Sequence, residues 1–280
     1  MCSSALVWIT TAIIAQAVHS SAFVIEEDGI FQVSIWRNNK DYKCIGSIVS
    51  AYTIITTSSC TVVPYWQELT IYAGTETPAT NGTAYRIETV ESDPRYITNR
   101  EGVKEFDMAV VNLIEPINLG VNKVYAIKML DKGYPLTVDM VAEVSAFDKT
   151  SKPPYTELLE TFVELYDYHK CDNELLHSYD GPNQICAGEP GVSLCYGELG
   201  APLVIEDNGT KMLAGFASWA TIDSWCLMAD KDKQQMQGSS LNQMKKKEPG
   251  PIIFSSVPYF RDFILENGRF PPGSGNENNI

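Results

Sequence analysis

The chain has 280 residues, of which 44% are hydrophobic and 20% charged, and such a composition is typical of a globular protein with one large domain or two small ones. Its net charge of −14 argues against the broad basic surface that binding to nucleic acid or to an anionic membrane requires. The acidity itself identifies no particular partner.

The first 22 residues contain no Asp, Glu, Lys or Arg. Within them, residues 6–17 form an apolar run with the length of a signal-peptide core, too short to span a membrane. Small residues offer cleavage sites after Ala17 and after Ala22. We therefore expect a signal peptide within residues 1–22 and a secreted, extracellular protein; a buried helix is the alternative.

Short strands dominate the next part of the sequence. Alternating or apolar runs occur at residues 31–36, 45–57, 69–72, 108–111, 141–144, 202–205 and 212–219. Many are bounded by turn residues, and this pattern predicts an all-β sandwich or barrel. Near the end, Val257, Phe260, Phe263 and Ile264 recur at helical spacing and predict one C-terminal helix.

Two polar segments interrupt or follow these elements. Residues 230–248 have no continuous apolar face, which predicts a surface insertion. Residues 268–280 are rich in Gly, Pro and Asn and predict a disordered tail. Residues 23–267 are then left as the folded domain.

Six cysteines remain once a signal peptide is removed: Cys44, Cys60, Cys171, Cys186, Cys195 and Cys226. An even number in a secreted protein predicts three disulfides, and the count alone permits fifteen pairings. A metal site is the alternative, but the sequence has no Cys-x-x-Cys pair and only three histidines. We expect neither a metal nor a cofactor.

Two N-glycosylation sequons, at Asn81 and Asn208, are consistent with a secreted protein. Each is followed by Gly-Thr, and such a sequence is typical of a polar surface turn. We therefore expect both asparagines to be glycosylation sites.

Several motifs together resemble the trypsin/chymotrypsin family of serine proteases. Residues 44–60 read CIGSIVSAYTIITTSSC, similar to CGGSLIS…WVLTAAHC with the same cysteine spacing. Residues 106–113 (FDMAVVNL), 195–203 (CYGELGAPL), 215–219 (GFASW) and 249–252 (PGPI) are similar to (N/F)DIALLxL, CxGDSGGPL, GIVSW and PGVY. The motifs follow the family's order along the sequence.

This resemblance implies a specific architecture. It implies two six-stranded antiparallel β-barrels followed by the C-terminal helix. It also selects one pairing of the cysteines, Cys44–Cys60, Cys171–Cys186 and Cys195–Cys226. Each such bridge typically stabilises a fold by about 2–4 kcal/mol.

The same alignment places the family's catalytic triad on a degenerate set of residues. Asp107 matches the aspartate, Ser59 occupies the histidine position and Leu199 occupies the nucleophile position. Gly197 and Leu199 are what remains of the oxyanion hole. Leucine carries no nucleophilic atom, and a serine hydroxyl is no general base near neutral pH. The resemblance therefore implies lost catalysis, with Asp107 left either as a remnant or as a buried structural group.

The former specificity pocket is altered as well. Its positions fall on Ser193, Ser218, Trp219, Ala220 and Gly250. Ser193 stands where trypsin-like members carry an aspartate, so no charge is available to hold Arg or Lys. Ala220 replaces a glycine and narrows the entrance.

We therefore interpret the protein as a non-catalytic serine protease homologue that binds a protein partner as a monomer. Inactive relatives occur among secreted arthropod proteins, including inactivated paralogues in parasitic mites, and this sequence resembles them in general pattern. A decoy or regulator of a protease cascade or of host defence is the function expected. The alternatives are a weakly active or rewired peptidase and a storage or structural protein without a defined ligand.

Overall fold

The computed structural model describes residues 29–62, 66–74, 82–99, 102–147, 158–167, 169–171, 181–189, 198–220 and 251–276. Within these residues the protein is built mainly of β-strands, which form two large sheets. The predicted signal peptide at 1–22 and the predicted insertion at 230–248 lie outside the described residues.

The first half of the protein forms one barrel-like antiparallel sheet. Its elements are β1 (Gln32–Arg37), β2 (Asp41–Ile48), β3 (Thr53–Thr56), α1 (Ser58–Thr61), a 3-10 turn (Trp66–Glu68), β4 (Leu69–Ala73), β5 (Thr83–Tyr85), β6 (Ile87–Ser92), β7 (Ile97–Thr98), β8 (Lys104–Glu105) and β9 (Ala109–Leu113). The sheet order is β5-β4-β1-β2-β3-β9-β6, while β7 pairs with β8. Because only Arg86 separates β5 from β6, continuous backbone links the two edges of the sheet.

The second half forms a closed barrel. Its elements are a 3-10 turn (Val121–Lys123), β10 (Lys128–Met129), β11 (Val141–Phe147), β12 (Leu158–Leu165), β13 (Gln184–Gly188), β14 (Pro202–Asp207), β15 (Thr210–Ala220), β16 (Ile252–Ser256) and α2 (Val257–Asn267). The order is β10-β15-β14-β11-β12-β13-β16, and a further pairing of β15 with β16 closes six strands. The predicted all-β fold with two barrels and a C-terminal helix is confirmed.

The helix α2 packs where the two barrels meet. Its buried residues Val257, Phe260 and Ile264 recur at helical spacing. They share one apolar cluster with Val110 of the first barrel and Phe216 of the second. The predicted C-terminal helix therefore contributes to the core of both halves.

Strand β1 contributes a polar face to the same junction. Its alternating sequence predicts one buried face, yet Gln32 and Ser34 on the other face are also buried. The side-chain amide of Gln32 donates a hydrogen bond to the hydroxyl of Ser145 on β11. A buried amide needs such a partner, so this contact ties the first barrel to the second.

The apolar run at 45–57 forms two strands instead of one. The hydroxyl of Ser50 accepts hydrogen bonds from the backbone N–H groups of Tyr52, at 3.1 Å, and Thr53, at 3.0 Å. This local capping of the backbone favours a turn between β2 and β3. The two strands then pair as an antiparallel hairpin.

The structure describes residues 268–276 of the predicted disordered tail, and within them Phe270 and Asn276 contact the barrels. Asn276 is buried, and its side chain donates to the carbonyls of Val49 and Ile127, both at 2.8 Å. Its side-chain oxygen accepts from the Met129 N–H at 2.7 Å. The composition of this segment predicted disorder, because composition alone cannot indicate that one asparagine side chain forms hydrogen bonds with three backbone groups. Residues 277–280 lie outside the described residues.

Candidate functional site

Asp107 forms the centre of the candidate site. It lies between β8 and β9 and is only 2% exposed. Its Oδ1 accepts the backbone N–H of Ser59 at 2.8 Å, and its Oδ2 accepts the hydroxyls of Ser59 at 2.9 Å and Ser218 at 2.6 Å. The structure thus brings together three residues that the sequence assigned to the triad and the pocket.

The short helix α1 holds Ser59 beside this carboxylate. The disulfide Cys44–Cys60 ties α1 to strand β2. Met108 follows Asp107 in sequence, and its backbone carbonyl accepts a hydrogen bond from the hydroxyl of Ser58 at 2.6 Å. Ser59 is therefore positioned by its two neighbours in sequence, one through a covalent bond and one through a buried hydrogen bond.

Leu199 lies in the turn that precedes β14. Its carbonyl accepts the N–H of Ile45 at 2.9 Å, and its side chain packs against the cluster that contains Cys44 and Cys60. Gly200 makes this approach possible, because it has a φ of +82° and a Cβ there would lie 1.9 Å from the Ile45 carbonyl oxygen. The turn is therefore docked on the first barrel with an apolar side chain at the assigned nucleophile position.

The described pocket residues lie at the end of β15. Ser218 and Trp219 are buried, and Ala220 is half-buried. Trp219 packs in a cluster with Cys171 and Cys186, which form the second predicted disulfide.

Several other positions that the sequence assigned lie outside the described residues, namely Ser193, Gly197, Gly250, Asn81 and the Cys195–Cys226 pair. Asn208 is exposed in the turn between β14 and β15.

Lys104 is a site residue that the sequence reasoning missed. Its ammonium Nζ donates to the Ser59 hydroxyl at 3.1 Å and to the Ser218 carbonyl at 2.7 Å, and it lies 3.9 Å from Oδ2 of Asp107. Only 15% of its side chain is exposed. The one signal in the sequence is a lysine three residues before the aspartate, which by itself is typical of a solvated hairpin.

Similarity to known proteins agrees with this geometry. The family model for trypsin matches residues 24–224. This protein belongs to the trypsin family. Hypodermin-A of Hypoderma lineatum is 28% identical over 198 residues, which cover 69% of this chain and 73% of that protein. Trypsin 5G1 of Aedes aegypti is 26% identical over 199 residues, covering 69% and 71%. Trypsin zeta of Drosophila erecta is 28% identical over 198 residues, covering 67% and 68%.

In this trypsin-family site, burial acts on both charged groups. Burial raises the pKa of Asp107, and the charge of Lys104 and the hydrogen bonds from Ser218 and Ser59 oppose that rise without reversing it. Burial likewise lowers the pKa of Lys104, against the charge of Asp107. The two opposite charges therefore offset part of each other's desolvation.

Two further features of the described residues concern ligands and membranes. In this part of the protein no three or more His, Cys, Asp or Glu side chains come close enough to hold a metal ion. Among the same residues, no helix is long and apolar enough to cross a membrane.

Proposed function

We propose that this protein is a secreted, non-catalytic member of the trypsin family that binds a protein partner and does not cleave it. The observation that carries the proposal is the contact between Ser59 and Asp107. In the family's mechanism that carboxylate orients an imidazole, and here it accepts a serine hydroxyl at 2.9 Å instead.

The residue types at the site support lost catalysis. The mechanism requires a nucleophile with a removable proton and a base whose pKa lies near the working pH. Leu199 supplies no such proton, and Ser59 supplies no such base. Loss of the nucleophile or the base typically lowers kcat by about 10⁶, and what remains is about 10³–10⁴ over water.

The altered pocket supports the same proposal. Ser193 leaves the assigned pocket without the negative charge that trypsin-like members use to hold Arg or Lys. Ala220 adds a methyl group to the assigned wall. The two disulfides of the described residues are both present. The scaffold is therefore retained, whereas the pocket residues that recognise a substrate are not.

A retained scaffold with a degenerate site suits a decoy. The surfaces around the former cleft can still contact a component of a protease cascade or of host defence. The net charge of −14 favours a protein partner over nucleic acid or an anionic membrane. We place the contact on the rim of the former cleft, together with segment 230–248, and expect a monomer to make it.

The catalytic half of the proposal is tested with the purified native protein on a panel of peptides and esters. We expect no turnover above buffer and no labelling by a fluorophosphonate probe, with an active trypsin as the positive control. Turnover that survives repurification and is abolished by Ser59→Ala would overturn the proposal and favour a rewired peptidase.

The binding half needs a separate measurement. Surface plasmon resonance against a panel of active serine proteases and their protein substrates should give saturable binding for at least one of them. Replacing residues 230–248 by a short Gly-Ser linker should weaken that binding, while Asn208→Gln, which removes the sequon in the exposed turn between β14 and β15, should not. If the protein shows saturable binding to none of the panel members, a storage or structural role is favoured instead.

A further inference from the structure

The hairpin of β7 and β8 delivers a lysine into the candidate site. Lys104 pairs with Thr98 in the hairpin, and its backbone carbonyl accepts the side-chain amide of Gln184 at 2.9 Å. Its ammonium then bonds to Ser59 and Ser218, the two residues whose hydroxyls donate to Asp107. Lys104 is therefore held at both its backbone and its charged end.

The ammonium occupies space that a histidine would need. The hydroxyl oxygen of Ser59 and the first ring carbon of a histidine are both γ atoms on the same Cβ. An imidazole that donates from Nδ1 to Asp107 places its ring beside the carboxylate, and the ring is larger than the hydroxyl that it replaces. Nζ of Lys104 lies 3.1 Å from that hydroxyl oxygen, so the ring and the ammonium compete for the same space.

The charge of Lys104 is equally unfavourable for a histidine. In the family's mechanism the aspartate stabilises the imidazolium that forms during catalysis. Here Asp107 already faces an ammonium at 3.9 Å. A positive charge beside an imidazole disfavours its protonation, so a histidine at residue 59 would be a weaker base.

We propose that Lys104 has replaced the histidine as the cationic partner of Asp107 and forms a third barrier to catalysis, in addition to Ser59 and Leu199. The inference rests on the proposed function, because it concerns a site that has lost its activity. It extends that function by stating that the two catalytic substitutions cannot simply be reversed. Lys104 contacts Ser59, the Ser218 carbonyl and Asp107 at once, and it thereby holds the site in an arrangement without an imidazole.

A different interpretation makes Ser59 a nucleophile and Lys104 its base. A neutral lysine would then have to accept the proton of the Ser59 hydroxyl. In the structure that hydroxyl donates to Oδ2 of Asp107 at 2.9 Å, and the nitrogen of Lys104 is its donor at 3.1 Å and not its acceptor. The arrangement is therefore that of a buried ion pair. A catalytic pair of Ser59 and Lys104 is the alternative that the experiments below can detect.

The first experiment compares two reversion variants, S59H/L199S and S59H/L199S/K104L, in the full-length protein. We expect kcat/KM for an activated ester to be at least about tenfold higher in the triple variant, and to rise with pH through a pKa near 6.5 as a histidine base requires. The variant K104L alone is the control and should be inactive. Equal activity of the double and triple variants would overturn the inference.

A second experiment uses the native protein, so that it does not depend on the reversion variants folding. The protein is treated with an amine-reactive reagent and each lysine is read out by mass spectrometry. Lys104 should stay unlabelled until the protein unfolds, whereas Lys132, whose side chain is 65% exposed, is labelled at once. Labelling of Lys104 at or above the rate of Lys132 would contradict the ion pair and support a neutral, reactive amine.

The two proposals fail in different ways. Turnover by the native protein overturns the proposed function whatever the reversion variants do. A native protein without turnover, combined with equal double and triple variants, leaves the proposed function in place and overturns the role of Lys104.

Discussion

Ser59 provides Asp107 with two hydrogen bonds, one from its backbone N–H to Oδ1 and one from its hydroxyl to Oδ2. The carboxylate is therefore fully engaged without an imidazole. Its presence without a histidine at residue 59 has a structural reason, because a buried carboxylate is tolerated only where donors and an opposite charge surround it. Here Ser59, Ser218 and Lys104 supply both.

Replacing Asp107 should destabilise the protein strongly. Asp107→Ala leaves the ammonium of Lys104 buried without a counter-charge, and breaking such a pair costs about 3–5 kcal/mol. Ser59→Ala is the matched control, because it removes one hydroxyl and should cost about 1 kcal/mol. Urea unfolding followed by tryptophan fluorescence measures both. If both variants lost the same free energy of unfolding, the stability of the buried Lys104 ammonium would not depend on the counter-charge of Asp107.

Gly200→Ala should disrupt the turn at Leu199. The new Cβ combines a left-handed backbone with a close approach to the Ile45 carbonyl, and we expect a loss of about 2–5 kcal/mol. Gly273→Ala separates the two effects, because Gly273 has the same φ of +82° with nothing within 4 Å of the added Cβ. That variant should lose about 1–2 kcal/mol. Similar losses, measured by thermal unfolding, would exclude the collision with Ile45 as the cause.

Asn276→Ala should weaken the attachment of the C-terminal segment. The substitution leaves the N–H of Met129 and the carbonyls of Val49 and Ile127 without their partner, which should cost about 3 kcal/mol in total. Asn118→Ala, which changes an exposed asparagine, is the control and should leave the midpoint of unfolding nearly unchanged. Limited proteolysis should then cut the segment that follows α2 faster in the substituted protein. Unchanged proteolysis would contradict a stabilising role for Asn276.

The pair of Asp93 and Arg95 should make stability depend on acid pH. Burial raises the pKa of Asp93, but the hydrogen bonds and charge of Arg95 outweigh it, so the net pKa lies below 3.8. Because the pKa is depressed in the folded state, the pair stabilises the fold above pH 3.8, and this contribution is lost as the pH falls through the folded pKa. Asp93→Asn should flatten the dependence of the unfolding midpoint on pH below about 4. An unaltered profile would show that other carboxylates dominate acid unfolding.

One strand illustrates why part of the fold escaped prediction. Strand β12 (Leu158–Leu165) carries Glu160 and Glu164, and its sequence did not read as a strand. Pairing with β11 on one side and β13 on the other places its Val163 and Leu165 in the core. The glutamates then face outwards, and this division between faces exists only once both neighbouring strands are in place.

By itself, the sequence determined the trypsin-family architecture, the C-terminal helix, the two disulfides of the described residues and the apolar residue at position 199. The helix follows from periodicity within a short stretch of residues, whereas the architecture and the pairing of the cysteines follow from the resemblance of several ordered motifs to the trypsin family. The tertiary structure alone decided that Lys104 lies against Ser59 and Ser218, and that Asn276 is buried against Val49 and Ile127. These contacts join residues 45 to 227 positions apart, so only the closure and packing of the barrels brings them together.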